Sequence, residues 1–93
     1  MNHEVKIDKE RKRFYSVVDG EEVYLDFSIE EDIIDFQHTY TPSNLRGKGI
    51  AGKVVEFAFE YAKANNLKVI PTCPYILTFL GKNEQYKELL AEK

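Results

Sequence analysis

One cysteine, Cys73, leaves no intrachain disulfide to form. Secreted domains of this size are normally stapled by several cysteine pairs, so a reducing cytoplasm is the expected compartment. Long hydrophobic runs are also missing: no stretch of Ala, Val, Ile, Leu, Met, Phe, Trp, Tyr or Cys exceeds three residues. A membrane-spanning helix needs about 20, so no membrane partner is expected. Met1-Asn2-His3-Glu4-Val5-Lys6 lacks the apolar core of a signal peptide. There is no excess of positive charge either. The net charge of −3 argues against nucleic acid as a partner. Two histidines and one cysteine make no convincing metal-ligand set, and His3 sits at the very start of the chain.

What is present suits one small domain spanning residues 1–93, shorter than the ~100–200 residues usual for a domain. Hydrophobic residues make up 43% and aromatics 13%, enough for a core of modest stability. No repeat, low-complexity tract or linker interrupts it.

The first 41 residues read as strands. Val5 and Ile7 alternate with polar residues before a turn at Asp8-Lys9-Glu10. Phe14 to Val18 resumes the pattern and ends at Asp19-Gly20, a strong hairpin signal. Val23, Leu25, Phe27 and Ile29 alternate with polar neighbours up to a turn at Glu30-Glu31-Asp32. Strict alternation puts Ile34, Phe36, His38 and Tyr40 on one face of a fourth strand. From Gly49 the period becomes helical, with Ile50, Val54, Phe57, Ala58, Tyr61 and Ala62 on one side up to Asn65-Asn66. Lys68-Val69-Ile70 is a short strand, Pro74 opens a second helix, and Gly81 is its expected stop. Glu84 to Leu90 suggests a short third helix. The order β-β-β-β-α-β-α implies an α+β fold. An antiparallel β-meander is followed by α-β-α, with strand five parallel to strand four. The basic run Lys9-Glu10-Arg11-Lys12-Arg13 reads as a solvated hairpin turn.

The glycine-rich stretch Gly47-Lys48-Gly49-Ile50-Ala51-Gly52-Lys53 lies directly before the first helix. It fits the spacing of a nucleotide-triphosphate P-loop, but Val54 stands where a magnesium-binding Ser or Thr is needed. An antiparallel meander is also the wrong context for that loop. The other device is Arg46-Gly47-Lys48-Gly49-Ile50-Ala51, of the form [Q/R]-x-x-G-x-[G/A]. Small side chains let backbone approach an anion, and unpaired N–H groups at the helix start point toward it. The plain alternative is an ordinary tight connection from strand to helix.

In this loop the sequence resembles the GNAT acetyltransferases, whose motif holds the pyrophosphate of acetyl-coenzyme A. His38-Thr39, the Arg46–Ala51 motif, Thr72-Cys73-Pro74-Tyr75 and the tail Leu80-Gly81-Lys82-Asn83-Glu84-Gln85-Tyr86 extend the likeness. Together they resemble a short single-domain GNAT-like subfamily with a cysteine after strand five. The likeness covers roughly residues 4–90. It implies a minimal GNAT fold in which strand four splays from strand five. Backbone groups of Thr39, Tyr40 and Thr41 would then hold the pantetheine arm. Arg46, Gly47, Lys48, Gly49, Ile50, Ala51 and Gly52 would hold the phosphates. The extra N-terminal helices and final strands of larger GNAT enzymes are missing, and these often form the acceptor site.

His38 and Cys73 are the candidate catalytic residues. On an apolar face a lone histidine is commonly a core residue, yet a neutral imidazole could take a proton from an amine or a thiol. Cys73 precedes Pro74 at a helix start, which favours thiolate. The resemblance implies a place close to the acetyl thioester. Cys73 could be a transient acyl carrier, a general-acid aid or a small wall of the pocket. Ending adjacent strands, His38 and Cys73 are expected to face each other across the cleft. The expected function is acetyl-coenzyme A-dependent N-acetyl transfer to an unidentified amine, without a metal. The alternatives are a non-catalytic acyl-coenzyme A binding or sensing module and a small interaction domain. An exposed edge strand leaves monomer or weak homodimer open.

Overall fold

The computed structural model describes residues 4–91. Five strands form one sheet in the order β1-β2-β3-β4-β5: Lys6–Asp8, Arg13–Val18, Glu21–Glu30, Ile33–Tyr40 and Lys68–Ile70. The first four pair antiparallel and β5 lies parallel to β4, the topology expected of a GNAT-like α+β fold. Helix α1 (Ile50–Ala64) connects β4 to β5, and α2 (Pro74–Lys82) follows β5.

Local chemistry explains the boundaries. The β2–β3 turn places Asp19 at φ 52° and Gly20 at φ 78°, the left-handed pair that matches the strand twist of a tight hairpin. Asn65 ends α1 by donating its side-chain amide to the Tyr61 carbonyl at 2.8 Å. Gly81 does not stop α2. The helix runs through it to Lys82, and Asn83 caps it by donating from its side chain to the Phe79 carbonyl at 3.0 Å. The tail segment Glu84–Leu89 is a 3₁₀ helix.

The core lies on one side of the sheet. Phe14, Val23, Leu25, Phe27, Ile34, Phe36 and Val69 are buried there against Ile50, Val54, Val55, Ala58, Phe59 and Ala62 of α1. The helix buries a wider stripe than its sheet-facing pattern suggested. Val55 and Phe59 are covered, whereas Phe57 stays 37% exposed. The added cover comes from α2 and the tail. Phe59 stacks on Phe79 at 5.7 Å and on Tyr86 at 5.1 Å, and meets Phe36 edge-on at 5.1 Å. This aromatic contact ties β4, α1, α2 and the tail together.

The other sheet face carries polar and aromatic side chains. Arg13 lies 3.6 Å over the Tyr24 ring and pairs with Asp26 and Glu22, while Arg11 pairs with Asp8 and Glu22. Both arginines of the basic run are thus neutralised within the sheet and its first turn. The outer edge of β5 is covered in part by the tail, where Ala91 donates its N–H to the Val69 carbonyl at 2.8 Å.

Phe59→Ala should remove the aromatic junction and destabilise the fold by about 3–5 kcal/mol, the usual cost of emptying a buried Phe site. Urea unfolding should show a much lower midpoint. A midpoint near that of the parent protein would mean that the tail and α2 do not depend on this contact.

Candidate functional site

The site begins where β4 and β5 part. Their parallel pairing covers only Ile33–Lys68, Ile34–Val69 and Asp35–Ile70. Beyond it the Cys73 N–H donates to the Phe36 carbonyl at 3.0 Å, and Thr72 Oγ1 donates to Asp35 Oδ1. These bonds fix the fork. β4 then runs on to Tyr40 with no strand on its β5 side among the described residues.

A β-bulge lies in the same stretch. Asp26 pairs with His38 and the next residue, Phe27, with Phe36, so Gln37 is the extra residue of β4. Its side-chain amide donates to Ser28 Oγ at 3.1 Å on the open face. The extra residue inverts the alternation that follows. His38 therefore does not share a face with Ile34 and Phe36. It is exposed on the open face, its ring 6.2 Å from that of Tyr24. Tyr40 goes the same way, its ring 5.5 Å from Tyr24. Thr39 turns inward instead, and its hydroxyl lies 3.5 Å from Cys73 Sγ. The expected juxtaposition of His38 and Cys73 is replaced by Thr39 and Cys73.

Past the fork lies a cleft of about 410 Å³, bounded by the end of β4, the glycine loop, the first turn of α1 and Tyr75 of α2. Thr39, Thr41, Arg46, Gly47, Gly49, Ile50, Ala51 and Gly52 line it; Tyr40 and Lys48 do not. Gly49 is the N-cap of α1 at φ 77°, a conformation that glycine adopts without strain. No side chain caps this helix, and its first turn holds no acidic residue. The N–H groups of Ile50, Ala51 and Gly52 precede the first intrahelical bond, from Lys53 N–H to the Gly49 carbonyl. They are the positive end of the helix dipole and suit an anion. Arg46 adds charge at the rim and closes the loop by donating from Nε to the Thr41 carbonyl at 3.2 Å. The Tyr75 hydroxyl would lie 3.8 Å from a Cβ on Gly52, so it stands directly over this first turn.

Cys73 is the N-cap of α2, with Pro74 opening the helix, and is 7% exposed. Burial is the largest single influence on its thiol and opposes ionisation. The hydrogen bond with the Thr39 hydroxyl and the neighbouring backbone N–H dipoles outweigh it. They hold the thiol below its ordinary value of 9.0. Burial pushes the neighbouring Tyr75 phenol up. His3 lies outside the described residues, among which no group of three or more His, Cys, Asp or Glu is placed to hold a metal ion. Among the described residues no helix is long and apolar enough to cross a membrane.

Two contributors escape a strict alternation reading: the Thr39 side chain and the Tyr75 hydroxyl. A signal for the first exists, since Gln37-His38-Thr39 is an unbroken polar run inside a strand that otherwise alternates.

A forked parallel pair beside an uncapped, glycine-led helix is the arrangement that the resemblance to GNAT proteins implies, and sequence comparison agrees on the family. The profile of the GCN5-related N-acetyl-transferase family matches residues 13–89, and the chain belongs to that family. Protein NATD1 of Mus musculus is 33% identical over 91 residues, covering 92% of this chain and 83% of its own. Protein NATD1 of Homo sapiens is likewise 33% identical over 91 residues, covering 92% and 80%. The solution NMR structure of a GCN5-like protein from Staphylococcus aureus superimposes with a TM-score of 0.75 at 25% identity, over 99% of this chain and 91% of that one.

Gly49→Ala should cost about 1–2 kcal/mol through left-handed strain alone, because the added Cβ meets nothing within 4 Å. Gly52→Ala, in ordinary contact with Tyr75, should be tolerated far better. Thermal melts of the two variants check this; equal melting temperatures would show that the loop does not need its left-handed turn.

Proposed function

We propose that this chain binds acetyl-coenzyme A in the cleft and transfers the acetyl group to an amine. The observation that carries the proposal is the alignment of an anion site with a fork. The free N–H groups of Ile50, Ala51 and Gly52 open into the same cleft as the unpaired end of β4, whose Thr39 lines the cleft and reaches back to Cys73 Sγ at 3.5 Å. The donor brings an activated acetyl thioester and a diphosphate. The glycine loop and Arg46 suit the diphosphate, and Lys48 adds charge to the approach. The free main-chain edge of Thr39, Tyr40 and Thr41 suits an extended amide-bearing arm. In transfer the amine nitrogen forms a bond to the acetyl carbon, the carbon–sulfur bond breaks, and the amine loses a proton. Cys73 does not itself line the cleft and would act from behind Thr39, at the fork. His38, on the open face, can act only on an acceptor that arrives from that side.

That placement of His38 favours a second reading, a module that binds acyl-coenzyme A without turnover. Acetylation of a small amine panel separates the two readings. Transfer supports the enzyme, and tight binding without transfer supports the module. The lone cysteine fits a reducing cytoplasm, and the covered β5 edge fits a monomer or a weak homodimer.

Titration with coenzyme A and acetyl-coenzyme A, read by amide NMR with ATP as control, should shift residues 39–52 and the start of α2. Arg46→Ala should weaken this binding roughly tenfold or more, the scale of a hydrogen bond to a charged group. Unchanged affinity would remove Arg46 from the site. Cys73→Ala should keep the binding and slow transfer; full transfer by that variant would leave Cys73 as a wall of the cleft.

A further inference from the structure

We infer that Thr39 is a positioning residue for Cys73: its hydroxyl holds the sulfur at the mouth of the β4–β5 fork. The inference concerns the protein's own atoms and stands whichever acyl donor the cleft takes.

Four features bring the pair together. The bulge at Gln37 turns Thr39 toward the helices. The Cys73 N–H on the Phe36 carbonyl fixes the cysteine backbone against β4 at 3.0 Å. Pro74 starts α2 at once, so Cys73 stands at the N-terminal end of that helix, with its carbonyl accepting from the Ile76 N–H at 3.0 Å. Thr39 Oγ1 then reaches Sγ at 3.5 Å from the near side.

A hydroxyl suits this position because it works in both protonation states. The neutral thiol can donate its S–H to Thr39 Oγ1. The thiolate can only accept, and the hydroxyl rotates to donate. Backbone N–H groups can only donate, so they favour the thiolate alone. The nearby titratable groups are Tyr75 on α2, Asp35 on β4, which accepts from Thr72, and His38, which the bulge sends to the opposite face. Thr39 is therefore the one side chain that hydrogen-bonds the sulfur among the described residues.

Cys73 is the sole cysteine, so a ¹³Cβ-cysteine label gives one NMR signal whose shift follows its ionisation. Thr39→Val removes the hydroxyl and keeps the size and the backbone N–H. The Cys73 midpoint should rise by about one pH unit, leaving about tenfold less thiolate at neutral pH. Thr39→Ser should restore the parent midpoint. A purely structural role for Thr39 would lower stability and leave the midpoint in place, and that result overturns the inference. Should Thr39→Val disturb the amide pattern of β4, Thr39→Ala decides by the same measurement. Failure of the parent protein to bind coenzyme A would remove the acyl-donor proposal and leave this comparison of midpoints intact.

Discussion

The brevity of the β4–β5 pairing is the constraint on which the rest of the molecule turns. Parallel strands joined through a helix normally make a continuous buried ladder. Here the ladder ends after Asp35 and Ile70, and the chain leaves β5 for α2 at once. One strand is left with a free main-chain edge inside the protein. Such an edge is stable only when water or a partner satisfies it. The fork therefore creates a groove, and the Phe59 junction fixes the two helices that flank it, α1 and α2, to each other.

The second wall follows from the loop. A helix that starts without a side-chain cap leaves its N–H groups to be satisfied from outside. In most helices Ser, Thr, Asp or Asn would do this. Gly49 cannot, and no first-turn acid compensates the dipole. The local weakness of α1 at its start is thus the same feature that makes it receptive to an anion. Val54 and Val55, buried just after, anchor the turn so that the weakness does not spread.

Much of this was legible in the residues. Element order, the parallel fifth strand, the Asp19-Gly20 hairpin and the glycine motif all rest on local signals: alternation, helical period and turn chemistry. Eight of the ten residues expected to hold a coenzyme line the one cleft beside the fork, the exceptions being Tyr40 and Lys48; what the cleft binds is a matter for the titration. The fate of His38 was not legible from period alone. Alternation assumes that every residue of β4 has a partner, and a bulge is a property of two strands rather than of one. Gly81 misled for a related reason. Glycine permits a helix stop without requiring one, and the Asn83 side chain supplied the stop two residues later.

The extra residue in β4 also reconciles two strands that count differently. His38 and Thr39 keep their faces through their partners Asp26 and Leu25 on β3, so Gln37 stands outside the register that shapes the groove. Loss of Gln37 would straighten β4 and still leave a hydroxyl, not an imidazole, on the groove side. A one-residue slip that paired Gln37 with Asp26 is what would exchange the two, so the proton chemistry beside the sulfur is a matter of strand register rather than of strand length.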